Sequence, residues 1–567
     1  MQYKEIVKVY EDISKTSKRL EKVDILSAFF IRLGKEGKSE WIYLLQGKVT
    51  PGYDVREFGM SRQLIIKALS ASYGVSIESV VQMFNKIGDL GKIAAALAEK
   101  RRQSVLFSKK LTMESVFSNL QRILSVNGKG AVERKIQCLS EILASAEPVE
   151  SQYIIRTVLQ DLRIGVAEGI IRDALTLAFF REERESMGEK IQSAYDLSND
   201  FAVVFDAAIK GKQALDEIRV IPGKPLNVML AIKAASIAEA FSVCGIPAAV
   251  EYKYDGFRML IHKKAGKIQL FTRKLEEVSK QFPDVVDAVK ENIIGESFIL
   301  DAEAVGYNPK NKKYLPFEAV SQRIKRKYDI DKLREKLPVE VNVFDVLYYD
   351  GNNYMNSPLS ERRKILEKLV KNKKWVIKTS EFMIVHKENE AETFYAEALK
   401  EGQEGIMVKN LSASYQQGRK VGFMVKVKPV VNDIDLVIVG AEHGSGKRAG
   451  WLTSYIIACR SGEGEMLEIG KVSSGLKEKE EEGTSYEQMS ELLKPLIISK
   501  EGSMVKVKPQ IVVSVTYQNI QPSPSYSSGY ALRFPRISAY RPDRTISDIA
   551  TIEDIEREVR RWGKLYK

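Results

Sequence analysis

VEYKYDGFRMLIH (residues 250–262) alternates apolar and charged positions on both sides of a single glycine. Read as an extended segment it places Glu251, Lys253 and Asp255 on one face, because successive side chains of a strand point to opposite sides. Gly256 then allows a turn, and RMLIH resumes as a second strand. A lysine at a strand end beside a pocket can serve as a nucleophile when neighbouring cations or desolvation lower its pKa. A solvated surface lysine is the commoner case, so the stretch alone settles the local fold and not the chemistry.

Working outward, IPGKPLNVML (221–230) marks a linker, with Pro222, Gly223 and Pro225 close together. From there to about residue 429, IQLFTR, SFILDAEAVGY, VEVNVFDVLYY, EGIMVKN and FMVKVKP read as strands. Helical stretches such as SERRKILEKLVKN (360–372) fall between them, which predicts an α+β domain over 216–429. Beyond Pro429 the strands resume in DIDLVIVGAEH, SYIIACR, MLEIGKV and QIVVSVTYQNI, with one acidic helical insert near KEKEEEG. Residues 430–567 are thus expected to form a small β-barrel closed by a C-terminal helix. MVKVKP occurs at 424 and again at 504, as two strands of similar alternation and not as a repeat. Residues 1–215 read as helical throughout. In AVERKIQCLSEILASA the spacing of Val132, Ile136, Leu139 and Leu143 predicts one apolar stripe. Gly165 and Gly169 before a helix could bring N–H groups to a phosphate, although ordinary punctuation is the favoured reading.

The 567 residues carry a formal net charge of +13, which attracts polyanions without specifying one. No apolar run reaches about 18 residues, so no membrane span is expected. The opening MQYKEIVKVYEDISK is amphipathic and carries acids, unlike a secretory signal. Three dispersed cysteines (Cys138, Cys244 and Cys459) and three histidines exclude the usual zinc site and point to a reducing, cytoplasmic setting.

Among motifs that carry chemistry, GSGKR (444–448) fails as a phosphate loop. Ala441 stands where the first glycine is needed and Arg448 where Ser or Thr is needed, so it reads as a loop between strands. The stronger signal is dispersed. Arg258 and Arg273 each close a strand-like stretch, and Glu303 lies within an apolar strand where an unpartnered acid would be costly. Phe344 and Asp345 end another strand, Glu404 opens EGIMVKN, and Lys426 and Lys428 share one face of FMVKVKP. Cations and acids collected in this way suit a nucleoside triphosphate with a divalent metal.

KYDGFR resembles the KxDGxR signature of ligases and capping enzymes. FTRKLEEVS, ILDAEAVGY, VFDVLYYDG, EGIMVKN and FMVKVKP resemble the family's further motifs in order. ALRFPRISAYRPDR is similar to the last motif of ATP-dependent DNA ligases, and SQYIIRTVLQDLRIGVAEGIIRDAL to the DNA-binding domain of the archaeal and eukaryotic replicative type. The resemblance implies an all-α DNA-binding domain, an α+β nucleotidyltransferase domain and an OB-fold barrel. It implies an enzyme that takes AMP from ATP onto Lys253, passes it to the 5′-phosphate of a nick in duplex DNA, and seals the nick with the 3′-hydroxyl. Glu251 would read the adenine edge and Phe344 would stack on the ring. Arg258, Arg273 and Glu303 would hold ribose and phosphate, with Arg419 or Lys420 beside them. Lys426, Lys428, Arg541 and Arg544 would neutralise phosphate charge. Glu303, Glu404 and Asp255 would face Mg2+ or Mn2+. Two departures stand out: the last motif reads Arg541-Pro542-Asp543-Arg544 where RxDK is usual, and Ser514 stands where many relatives carry an acid.

RRQSVLFSKK (101–110) resembles a clamp-binding motif, with Gln103, Leu106 and Phe107 as the anchors for a sliding clamp. The alternatives are an RNA ligase or capping enzyme, which should lack the helical region, and a non-catalytic DNA-binding protein, which has no use for both the lysine and the acids. The expected state is a monomer.

Overall fold

The computed structural model describes the chain except residues 103–109, 316, 325–329, 420, 430–432, 445–447, 449, 479–482 and 566–567. The chain divides into two compact units. One comprises residues 1–232, 255–381 and 410–424, and the other residues 233–254, 382–409 and 425–567.

The first unit begins with helices from Tyr3–Ser14 to Lys212–Asp216. They share one core that includes Phe29, Phe30, Leu120, Ile154 and Phe205. The helix Ala131–Leu143 buries Lys135, Cys138, Leu139, Ile142 and Leu143, whereas Val132 is 42% exposed. Leu139 and Leu143 of the expected stripe are buried and Ile136 packs against the core, so Val132 alone of the four departs from it. The Lys135 stem lies in the core and its Nζ donates to the Phe58 carbonyl at 2.6 Å, so a lysine occupies an inward position. Gly165 adopts φ +64°, and its carbonyl accepts from Lys22 Nζ at 3.1 Å; Gly169 lies inside the helix Glu168–Phe179. Gly165 behaves as punctuation, whereas Gly169 belongs to the first turn of the helix that follows. Among the described residues no single helix is long and apolar enough to cross a membrane; the bent pair Arg62–Tyr73 and Ile77–Ile87 meets that test only together.

The same unit contains a largely antiparallel sheet. Phe257–Lys264 pairs with Lys267–Thr272 on one side and Phe298–Gly306 on the other, which pairs in turn with Val339–Tyr349. Met259, Ile261, Leu300, Ala302, Val341 and Val343 fill the core on one face. Two expectations are corrected here. Arg258 opens its strand instead of closing one, because the turn comes at Gly256, where a Cβ would meet the Ala304 carbonyl at 2.4 Å. Phe344 and Asp345 lie mid-strand, because pairing with Phe298–Gly306 continues to Tyr349 through two register shifts.

In the second unit Ala248–Lys253 lies between Phe382–Val385 and Gly405–Asn410, with Met424–Val427 beyond. A further antiparallel sheet is built on Ile434–His443, which pairs with Leu452–Arg460, Met504–Val507 and Val512–Thr516. The two MVKVKP segments become the strands Met424–Val427 and Met504–Val507. The helix between the later strands is Tyr486–Leu493, capped by Ser485, and so it follows the acidic run; residues 479–482 of that run lie outside the described residues. The chain is thus multidomain: a helical N-terminal region, a mixed α+β region and a β-rich C-terminal region.

Candidate active site

Lys253 is the last residue of its strand, and its side chain is 19% exposed. The neighbouring strand brings Glu404 to it: the Glu404 N–H donates to the Lys253 carbonyl at 2.8 Å, and the Lys253 ammonium donates to the Glu404 carboxylate. Lys428, just past Met424–Val427, donates to the other oxygen of the same carboxylate. Gln518 Nε2 donates to that oxygen too, at 2.7 Å. Two ammonium groups and an amide thus share one acid. Gly405 permits this close packing, at φ +145° and with space for a Cβ blocked by the Val427 carbonyl at 2.2 Å. Two residues before Lys253, Glu251 is 2% exposed; its Oε2 accepts from the buried Lys409 at 2.7 Å. Among the described residues its Oε1 is buried without a hydrogen-bond partner. Lys426 is half-buried on Met424–Val427, the next strand beyond Gly405–Asn410.

The other unit holds a second set. Arg258 makes a fork to the fully buried Asp301, Nε to Oδ1 at 2.9 Å and Nη2 to Oδ2 at 2.5 Å, and donates through Nη1 to the Met229 carbonyl at 2.6 Å. Tyr415 Oη donates to Asp301 at 2.7 Å. Burial opposes the Arg258 charge, but the Asp301 carboxylate more than offsets it, so the guanidinium pKa is raised further. Burial first, and Asp301 next, push the Tyr415 hydroxyl well above its ordinary range. The Phe344 ring centroid is 5.3 Å from the Arg258 guanidinium. Glu303 pairs in register with Arg258 on the neighbouring strand, and Arg273 is exposed directly after Lys267–Thr272. Asp345 is held by the buried Arg362 through two bonds, at 2.7 and 3.0 Å.

Asp301, Lys409, Tyr415 and Gln518 were not singled out by the sequence. Asp301 carried the same signal as Glu303, an acid in an apolar strand; Lys409 carried its cationic counterpart. Nothing marked Gln518. The Arg419 side chain and Lys420 lie outside the described residues.

Residues 228–428 match the family described as ATP dependent DNA ligase domain, residues 2–176 DNA ligase N terminus, and residues 448–544 ATP dependent DNA ligase C terminal region. The DNA ligase of Nanoarchaeum equitans is 43% identical over 569 residues, covering 99% of each chain. This chain belongs to the ATP-dependent DNA ligases. The DNA ligases of Thermococcus onnurineus and Methanocaldococcus jannaschii are 39% and 35% identical over 98% and 100% of this chain, and over 97% and 100% of their own lengths. A solved structure titled "Pmar-Lig_Pre." has a TM-score of 0.57 at 15% identity, covering 94% of this chain and 99% of that one, a likeness of fold alone. Sealing of DNA nicks through adenylylation, at the expense of ATP and in replication, repair and recombination, is therefore the activity of this ligase.

Proposed function

We propose that Lys253 is the residue adenylated by ATP, and the observation that carries this is its shared carboxylate. The Lys253 Nζ lone pair attacks the α-phosphorus, the bond to the bridging oxygen breaks, and pyrophosphate leaves. Nζ must first shed a proton, and Glu404 is a group in contact that can accept it. Lys426 and Lys428 neutralise phosphate charge as it develops. AMP then passes to the 5′-phosphate of the nick, and the 3′-hydroxyl displaces it.

Glu251 is assigned the adenine edge, since its unpartnered buried oxygen is an acceptor that would otherwise be costly. Phe344 is assigned the ring stack, Arg258, Arg273 and Glu303 the ribose and phosphate, with Arg419 or Lys420 in support. The metal is Mg2+ or Mn2+, with Glu303, Glu404 and Asp255 as its acids. Among the described residues no group of three or more His, Cys, Asp or Glu is gathered to hold a metal. Dispersed acids of this kind fit Mg2+, which is usually held by one or two carboxylates together with substrate phosphates and water. When bound, the metal would supply neutralisation of the phosphate charge.

The finer architecture belongs to the same proposal: residues 1–215 as the DNA-binding domain, 216–429 as the nucleotidyltransferase domain, and 430–567 as an OB-fold barrel with its C-terminal helix. So do a monomeric state, a cytoplasmic setting without membrane attachment, and a sliding clamp held through Gln103, Leu106 and Phe107, which lie outside the described residues.

Incubation with labelled ATP tests the assignment. Lys253→Ala should leave no acid-labile AMP adduct, and Lys253→Arg should fail equally, because guanidinium stays protonated. An adduct of wild-type yield on Lys253→Ala would move the nucleophile elsewhere.

A further inference from the structure

Two lysine runs remote in sequence, NPKNKK (308–313) and KNKKW (371–375), meet at one end of the sheet that carries Glu303. The Tyr307 hydroxyl donates to the Trp375 carbonyl at 3.0 Å, and the Trp375 ring centroid lies 5.0 and 5.2 Å from those of Tyr307 and Tyr314. The Trp375 N–H is anchored on the buried Glu340 at 2.6 Å. Lys312 Nζ sits 4.7 Å from the Tyr307 centroid, and Lys374 Nζ 5.4 Å from that of Trp375. The first turn is closed by the Asn308 N–H donating to the Lys313 carbonyl at 2.8 Å, and by Lys310 and Lys313 N–H groups donating to the Asn308 and Asn311 side chains at 2.9 and 3.1 Å.

Lys310, Lys312, Lys313, Lys371, Lys373 and Lys374 are all exposed. Among the described residues no ion pair holds any of them, whereas the neighbouring Lys378 is paired with Glu381 at 2.8 Å. A solvated lysine face is common, but its lysines are usually interspersed with acids and mobile. Here six like charges are gathered by an aromatic and amide scaffold whose one carboxylate, the buried Glu340, is taken up by Trp375, Tyr314 and Lys378 and pairs with none of the six, which lowers the cost of ordering them on a polyanion.

We propose that this double-turn lysine surface docks the sugar–phosphate backbone of duplex DNA beside the nick. The strand Phe298–Gly306 runs from Glu303 towards Tyr307, a distance of roughly 13 Å at about 3.3 Å per residue. That span equals about four base pairs of duplex at 3.4 Å each. Only this distance rests on placing Glu303 in the nucleotide site. Exposed ammonium groups on turns meet phosphates and do not read bases, so the contact is independent of sequence.

The test measures the affinity of the full chain for a nicked duplex between roughly 50 and 200 mM salt. The variant K310Q/K312Q/K313Q/K371Q/K373Q/K374Q should lower the slope of log affinity against log salt by roughly three to five, at about 0.9 per phosphate contact, and weaken binding at least about tenfold. The six corresponding Lys→Arg changes should keep both. Because Lys312 and Lys374 touch the rings, K310Q/K313Q/K371Q/K373Q is the second variant, with an expected slope loss of roughly two to three. An unfolding midpoint equal to that of the wild type shows that either variant is folded. An unchanged slope in folded variants overturns the proposal, including the case in which they lose binding to polyglutamate, which would mark the face as a site for acidic protein. Absence of salt-dependent binding by the wild type would instead count against the ligase reading itself.

Discussion

Glu404 accepts from Lys253, Lys428 and Gln518 together, so one carboxylate serves two ammonium groups, and the acid that orients Lys253 is also one that can take its proton. Glu251, two residues earlier on the same strand, has the opposite problem: one oxygen is paired with Lys409 and the other has no partner. An amino group at the adenine edge would satisfy it, whereas the carbonyl of guanine would meet it as a second acceptor. Glu251→Gln should therefore raise the KM for ATP by about 10- to 100-fold, the range for a charge-assisted bond at a recognition site, and should relax discrimination against GTP. Self-adenylation set beside self-guanylylation measures both, and unchanged discrimination would remove Glu251 from base recognition. Lys253 and Glu251 stand out in the sequence as charges in an alternating run, where charge is expensive unless it is used, but the run alone leaves a solvated lysine the commoner case and only the ordered set of motifs proposes a site. Asp301 carries the same signal, two residues before Glu303 in the same apolar strand. Gln518 was not legible, since an amide in a polar loop carries no local signature and only tertiary pairing gives it a role.

Among the elements, strands were easier to read than helix faces. Alternation located Ala248–Lys253, Phe298–Gly306 and Gly405–Asn410 to within a residue or two, because a period of two leaves one choice of face. A helix leaves more latitude: Ala131–Leu143 turns Lys135 inward, and once its ammonium reaches the Phe58 carbonyl a lysine stem serves as core. The strand Phe257–Lys264 also carries a pH-sensitive group. His262 is buried, its Nδ1 accepts from the Gly223 N–H at 3.0 Å, and burial lowers its pKa from 6.5 to about 3. It is therefore neutral in the native state, while in the unfolded chain it gains a proton below about pH 6.5. Between those values the unfolded state binds more protons, so the stability is present above pH 6.5 and is lost as pH falls towards 3. At pH 5 the loss amounts to about 2 kcal/mol at 1.36 kcal/mol per unit. His262→Gln, whose amide oxygen can accept from Gly223, should flatten the acid limb between pH 6.5 and 5 by that amount. Denaturant unfolding of the two proteins at pH 7 and pH 5 checks this, and equal losses in both would assign the acid sensitivity to other groups.

For the molecule as a whole, adenylation and sealing impose different demands: pyrophosphate needs cations as it leaves, whereas sealing acts on a nick that already carries AMP. The Arg541–Arg544 segment belongs to the β-rich region, where Arg541 donates to Asp435 at 3.2 Å and to Asp543 at 2.7 Å. These bonds raise the Arg541 pKa, and the Arg541 guanidinium holds the Asp543 carboxyl down to about 2, so the pair stays charged at any working pH. Arg544 Nε lies 3.7 Å from Asp435 and 3.9 Å from Asp543, looser contacts that a triphosphate could displace. Ser514, in place of an acid, donates to Asp435 and so leaves that carboxylate as the shared anchor for both arginines. Of the two arginines Arg544 has the looser contacts, and the part proposed for it, at the leaving pyrophosphate, should end with the first step. Arg544→Ala is expected to slow self-adenylation by roughly 10- to 1,000-fold, the effect of losing one contact to developing charge. Arg544→Lys should retain much of the rate if charge matters more than the planar fork. A nick already carrying the 5′-adenylate bypasses the first step, and Arg544→Ala should seal it at close to the wild-type rate. If the variant seals that substrate as poorly as it adenylates itself, Arg544 supports the β-rich fold or touches DNA, and its assignment to the departing pyrophosphate is wrong.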